Sequence, residues 1–295
     1  MNSLFSAPVV DTHVHFWDLK KFQYQWPTSE IKELYRNFLP DDYLDAVKEV
    51  PDIKNAIFVQ VHNGTIKEND WVLEFVKSHK WIVGMVGWVD LTDPDVEDIL
   101  VHYAQSDRFL GVRHITELEP SDWLGREDVH RGLKLLEKHG LTFDILLRPH
   151  MMDFVPQLAP KFPKLSFIID HLAKPKIKEK EIEEWKTKMT LAASYQNVYC
   201  KLSGMVTEAD WENWSIEDLK PYVQHCVKVF GAARCMYGSD YPVFSRTTAK
   251  YKDVFNALVK CLEDCTSAEE REDIFCNNAV RIYKIKAELN KESLA

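Results

Sequence analysis

Ala56-Ile57-Phe58-Val59-Gln60-Val61 and Ser166-Phe167-Ile168-Ile169-Asp170 are short runs of almost continuous apolar side chains. A strand with one wet face alternates apolar and polar positions; a strand covered on both faces does not, so these runs read as strands of a parallel sheet. Further strand candidates are Val9–Asp11, Ile82–Val89, Leu110–Ile115, Thr142–Leu147, Val198–Leu202 and Cys235–Gly238. Segments of helical period separate them: Asp41–Val50, Asn69–Lys80, Pro94–Gln105 behind the candidate cap Asp93, and Arg126–His139 stopped by Gly140. Phe154–Ala159, Glu179–Tyr195, Ile216–Phe230 and Thr248–Glu263 complete the series, and a further helical region spans Ala268–Glu288. Eight strand–helix alternations are best satisfied by an α/β fold of the TIM (β/α)8 barrel type, with extra C-terminal helices. An open doubly wound sheet is the alternative, but the Gly-rich phosphate turn expected after its first strand is missing.

The whole chain of 295 residues is expected to be one barrel domain, residues 1–295, since no linker, repeat or low-complexity tract interrupts it. Hydrophobic residues make up 45% and charged residues 28%, enough for a large core. A formal net charge of -9 argues against a nucleic-acid partner, because phosphate binding needs a basic face. The basic stretch Lys174–Lys180 runs straight into Glu181, Glu183 and Glu184, as a solvated loop does. No apolar run approaches the ~20 residues of a membrane span, and the N-terminus lacks the pattern of a signal peptide. Six cysteines without CxxC spacing read as free thiols in a reducing compartment, so a cytoplasmic location is expected. Oligomeric state stays open.

Reactive residues gather where a barrel's strands would end. Asp11-Thr12-His13-Val14-His15-Phe16-Trp17-Asp18 follows the first strand, and strand alternation turns His13 and His15 to one side. Asp170-His171-Leu172-Ala173-Lys174-Pro175 ends the sixth, and Gly238-Ser239-Asp240-Tyr241-Pro242 the eighth. The fourth offers Arg113 and His114, and the seventh Lys201 and Ser203. Taken singly, His171 could be a satisfied core histidine and Asp240 a turn cap. Together, one at each strand end, they describe a site. His62, His79, His102, His130, His139 and His225 read as surface or packing residues, and Asp144 and Arg148 receive no role.

The constellation resembles the amidohydrolase superfamily, whose barrels carry His-x-His on strand one, histidine on strand six and aspartate on strand eight. Together with Gly111-Val-Arg-His114 and Lys201-Leu-Ser-Gly204, the motifs are similar to the amidohydrolase-related branch. That branch contains the L-fuconolactonase, L-rhamnonolactonase and 2-pyrone-4,6-dicarboxylate lactonase families. The resemblance implies a hydrolase opening a sugar lactone to its aldonic acid, with Asp240 as general base and His171 beside the carbonyl. It also implies one divalent metal ion, zinc first, on His13, His15 and Asp240, although members that work without metal keep that alternative open. Arg113, His114, Lys174, Lys201, Trp17 and Tyr241 are the implied substrate contacts, with Trp88 a further candidate for an apolar wall. The chain departs from binuclear members in lacking a strand-five histidine and a strand-four acid or lysine, so a two-metal centre is not expected. The rival readings are a metal-dependent decarboxylase of the same superfamily and a catalytically silent ligand-binding barrel.

Overall fold

Eight strands pair in parallel in strict chain order: β1 (Val9–Val14), β2 (Ile53–Val59), β3 (Ile82–Gly87), β4 (Phe109–Ile115), β5 (Thr142–Leu146), β6 (Phe167–Ile169), β7 (Val198–Leu202) and β8 (Cys235–Tyr237). This is the order in a computed structural model that describes residues 4–294. The last strand returns to the first through a parallel bridge between Val14 and Tyr241. There the Asp240 amide donates to the His13 carbonyl (3.0 Å) and the His15 amide to that of Tyr241 (2.8 Å). The result is the expected (β/α)8 barrel ringed by helices.

Successive strand side chains point to opposite faces, and the core divides accordingly. Val9, Phe58, Ile82, Phe143, Ile145, Phe167 and Leu202 pack outwards with the helices. Val10, Ile57, Val59, Val83, Ile168 and Met236 form a separate inner cluster with Cys276, Ala279, Ile282 and Tyr283 of the C-terminal segment. That segment crosses the amino ends of the strands. Asn278 Nδ2 donates to the carbonyls of Ala232 and Cys235, Lys284 Nζ to that of Gly140, and the Asn290 amide to Asn55 Oδ1. The barrel floor is therefore closed by the chain's own end.

Several boundaries differ from expectation. β2 begins at Ile53 rather than Ala56 because the polar Asn55, read as loop, is buried against Asn290. β1 continues to Val14 with a register shift between Asp11 and Val14, so His13 lies within the irregular end of the strand. The helix expected from Glu179 starts at Glu183, behind a turn in which Lys180 adopts φ 59°. The C-terminal helical region runs Ala268–Glu272, a π-turn at Asp273–Asn277 and Asn278–Ile282, and stops where Lys284 takes φ 54°. Ile216–Phe230 is a helix as read, capped by Ser215. All six cysteines are free thiols, five of them buried. Among the described residues no helix is long and apolar enough to cross a membrane.

A buried carboxylate reinforces the seam between β1 and β8, beside the two backbone bonds and the Thr12 hydroxyl, which donates to the Tyr237 carbonyl at 2.6 Å. Asp11 Oδ1 accepts from the amides of Ser239 (2.8 Å) and His13 (3.2 Å), and Oδ2 from the phenols of Tyr251 (2.7 Å) and Tyr43 (3.2 Å). The two phenols also lie 3.2 Å from each other, so removing the carboxylate strands two buried amides and one of the phenols. Asp11→Ala is expected to lower unfolding free energy by about 3 kcal/mol or more, because a stranded buried donor costs about 1–3 kcal/mol. Urea unfolding followed by tryptophan fluorescence measures this; an unchanged midpoint would show that the seam does not need the carboxylate.

Candidate active site

His13 and His15 leave the end of β1, His171 follows β6 and Asp240 follows β8, so barrel closure brings four separate segments to one point. The Nε2 atoms of His15, His13 and His171 lie 3.5, 3.8 and 3.8 Å from Asp240 Oδ1. All four side chains are buried at the inner end of a cavity of about 390 Å³, which His15, His171 and Asp240 line.

Each imidazole is oriented from behind. His15 Nδ1 sits 2.7 Å from the Val59 carbonyl. A carbonyl can only accept, so Nδ1 carries the proton and Nε2 presents its lone pair to the site. His171 Nδ1 meets Ser203 Oγ at 2.8 Å. His13 Nδ1 lies 3.2 Å from Lys201 Nζ and 3.4 Å from Asp170 Oδ1. Two glycines make this approach possible. A Cβ at Gly204, where φ is 62°, would sit 2.7 Å from His171 Nδ1, and one at Gly238 would sit 2.8 Å from His13 Cβ.

Beneath the imidazoles lies a buried ionic layer. Lys201 Nζ donates to Asp144 Oδ2 (2.6 Å) and approaches Asp170 Oδ1 (3.2 Å), while Arg113 Nε donates to Asp170 Oδ2 (2.9 Å). Burial alone would raise the Asp170 carboxyl, but Lys201, His13 and Arg113 outweigh it and hold it well below the usual range. Burial likewise opposes ionisation of Asp240. The neighbouring His171 and then His15, each of which pairs with the carboxylate whenever its ring takes up a second proton, together with Arg113 reverse that and keep Asp240 below its ordinary value, ionised at neutral pH. Burial lowers His13 far below the ordinary histidine value and brings His171 down to about 4, so both rings are neutral at pH 7.

The structure redistributes the expected substrate contacts. Arg113 and Lys174 line the cavity, Lys174 paired with Glu117 at 2.7 Å. Lys201 does not reach it: the ammonium has no exposed surface and all its contacts lie inside the barrel. His114 turns away, its Nε2 donating to the Val89 carbonyl and its ring stacked on Trp123 at 4.6 Å. Trp17 is wholly buried, its indole N–H donating to the Arg36 carbonyl, and it packs behind Trp26. Tyr241 is buried against Tyr43, and Trp88 does not line the cavity either. The walls come instead from Trp26, Trp211, His62, Glu117, Arg148, Glu208 and Arg246. His62, read as surface or packing, and Arg148, given no role, lie just past the ends of the second and fifth strands, a position that could have flagged them. Trp26, Trp211 and Arg246 sit in long connections without periodicity and carried no such signal.

His13, His15 and Asp240 fit one divalent ion. Their ligand atoms all lie within 4.8 Å of one another, and His13 Nε2 is a buried nitrogen with no hydrogen-bond partner. Two imidazoles and a carboxylate suit zinc and leave a coordination position open. His13, Asp170 and His171 are equally close together, but Asp170 is committed to Arg113 and Lys201. No second centre is available at Asp144, which Lys201 occupies.

Over residues 10–285 the chain matches the family described as amidohydrolase. L-fucono-1,5-lactonase of Burkholderia ambifaria is 30% identical over 280 residues, 94% of this chain and 95% of that protein. L-fucono-1,5-lactonase of Burkholderia multivorans is 28% identical over 288 residues, 94% and 96% of the two chains. The crystal structure of a Burkholderia multivorans amidohydrolase with bound zinc superposes with a TM-score of 0.87 at 26% identity, covering 95% of this chain and all of that one.

The lowered His171 has a consequence for stability. Its folded-state value of about 4 lies below the ordinary 6.5, so the unfolded chain takes up the proton first as pH falls. The stability at stake is intact above 6.5 and is lost progressively towards 4, on the order of 3 kcal/mol in full. Urea titrations of the metal-free protein between pH 7 and 5 are expected to show this slope, and His171→Asn to lessen it, leaving the part due to the lowered His13. Equal slopes in the two proteins would contradict the assignment.

Proposed function

We propose that this chain, which belongs to the amidohydrolase family, opens sugar-derived lactones by hydrolysis to the corresponding aldonic acids. The observation that carries this reading is the ionised Asp240 facing three imidazoles at the inner end of the cavity. The full-length similarity to two proteins named L-fucono-1,5-lactonase supports the choice of an ester-type ring bond.

Asp240 is the general base. Its Oδ1 makes all three imidazole approaches, which leaves Oδ2 for the proton of the attacking water. The water oxygen bonds to the lactone carbonyl carbon and charge develops on the carbonyl oxygen. His171 is placed to receive that charge: a Ser203 hydroxyl donating to Nδ1 leaves the proton of the neutral ring on Nε2, facing the reacting atoms. When the ring C–O bond breaks, protonated Asp240 returns its proton to the departing oxygen, and the product is the open-chain hydroxy acid. A divalent ion held by His13, His15 and Asp240 supplies Lewis acidity to the carbonyl oxygen when bound.

The cavity rim suits a neutral polyhydroxylated ring. Arg148 is 2.6 Å from Glu117 and 3.6 Å from Glu208, and Lys174 is paired with the same Glu117. Cations already matched to carboxylates offer paired donors and acceptors for hydroxyl groups, not a receptor for a polyanion. Trp26 and Trp211 provide flat apolar walls, the latter covered by the Arg246 guanidinium 4.5 Å from its ring centre.

A panel of aldonolactones, followed by acid release with a pH indicator, tests the reading. Asp240→Asn is expected to lower kcat by roughly 10²–10⁴-fold with a normal folded spectrum. Near-parental hydrolysis by that variant across pH would remove Asp240 from the role, and silence across the panel would remove the lactone.

A further inference from the structure

Tyr283 ends the helical segment that closes the barrel floor, far along the chain from every motif of the site. Its side chain is 2% exposed and lies in the inner cluster with Val10, Ile168 and Met236. The phenol O–H donates to Asp144 Oδ2 at 2.6 Å, the oxygen that also accepts from Lys201 Nζ at 2.6 Å. Lys201 Nζ stands 5.6 Å from the centre of the Tyr283 ring. An ammonium has three protons, and beside Asp144 the remaining two neighbours are Asp170 Oδ1 and His13 Nδ1, both at 3.2 Å. The chain of contacts thus runs from the C-terminal segment through Asp144 and Lys201 to the ring whose Nε2 faces Asp240.

We propose that Tyr283 is a positioning residue for the active site, its phenol fixing Asp144 so that Lys201 and Asp170 hold the His13 ring in its working orientation. The connection is short and has no slack. Asp144, Lys201, Asp170 and His13 are all at 0% exposure, so bulk solvent does not replace a lost partner. Asp144 Oδ2 has the ammonium and the phenol as its donors, and among the described residues Oδ1 accepts from Thr142 Oγ1 at 3.1 Å. Without the phenol the carboxylate turns to satisfy itself and takes the ammonium with it. Lys201 then moves relative to His13 Nδ1, and a tilt of that ring is felt at Nε2. Active-site groups tolerate displacements of only about 0.5 Å. Seen this way the C-terminal segment is part of the catalytic assembly and not a stopper alone.

The kinetic arm of the test rests on the lactone-hydrolase reading; a spectroscopic arm does not. Tyr283→Phe keeps the ring and the apolar plug and deletes the O–H. It is expected to lower kcat about tenfold, the range seen when an outer partner of a site histidine is removed, with KM within about twofold. In protein labelled with ¹⁵N-histidine, the imidazole resonances of His13, identified by their loss in His13→Asn, are expected to shift. Ile282→Val, which thins the same plug without touching a polar group, is expected to lower the melting temperature yet leave kcat and the His13 resonances in place. Unchanged kcat and His13 resonances in Tyr283→Phe overturn the proposal, as does an Ile282→Val variant that alters both equally. If the parent protein opens no lactone, the reading of the function fails on its own and the His13 resonances alone decide the role of Tyr283.

Discussion

Closure of the barrel between its first and last strands depends on one carboxylate removed from water. β8 is three residues long, and its return to β1 is a single parallel bridge with two backbone bonds rather than a continuous ladder. Asp11 supplies what is missing, because a single carboxylate accepts from backbone donors on both strands and from tyrosines on two helices. Hydrogen bonds to a buried charge are about twice as strong as neutral ones. The same contacts place the backbone of His13 and of Ser239, the residue before Asp240. Strand closure and site assembly are therefore one event: a barrel open at this seam would hold His13 and His15 on one edge and Asp240 on the other.

Above the apolar floor the barrel interior changes character. Lys201 and Arg113 face Asp144 and Asp170, two cations against two anions with almost no exposed surface. Such a layer contributes little net stability, since desolvation offsets most of the attraction, but loss of any one member leaves a buried charge unpaired at about 3–5 kcal/mol. Its geometry is consequently well defined. The Asp170 carboxylate and the Lys201 ammonium set the back face of His13, while the Val59 carbonyl and the Ser203 hydroxyl set those of His15 and His171. These supports stand on the strands or within one residue of a strand end, Val59 and Lys201 in β2 and β7, Asp170 and Ser203 just past β6 and β7.

The parts of this arrangement that were legible in the sequence are those with a period or a motif. Apolar runs such as Ala56–Val61 announced a sheet covered on both faces, and Gly140 and Gly231 marked helix ends where the chain does turn. His13, His15, His171 and Asp240 were legible because each follows a strand. Lys201 was misread as a substrate anchor for an instructive reason. Sequence position places a residue on a strand but does not say at what depth in the barrel its charge comes to rest, and the partners that neutralise it, Asp144 and Asp170, lie 57 and 31 positions away. Trp17 failed for a related reason, since an aromatic beside a motif packs into the core as readily as into a cavity. The actual walls, Trp26 and Trp211, stand on irregular connections whose path only the folded barrel defines.

The segment after β6 shows how function is set against local backbone preference. His171, Leu172, Ala173 and Lys174 all adopt positive φ, between 46° and 57°. An L-residue in that region is disfavoured by roughly 1–2 kcal/mol, and four in succession are sustained only where tertiary contacts over-determine them. Those contacts are present: the Trp185 indole donates to the Leu172 carbonyl at 2.7 Å, the Lys174 amide to the His171 carbonyl at 2.7 Å, and Lys174 Nζ to Glu117. The left-handed turn throws His171 back over the barrel mouth, into the space that Gly204 leaves by having no side chain. An extended continuation of β6 would instead carry alternate side chains outward, past the catalytic point. The stretch from Asp170 to Pro175 is thus explained by a requirement no local propensity would satisfy. The strand must end abruptly, reverse its hand, and deliver one imidazole to within 3.8 Å of Asp240.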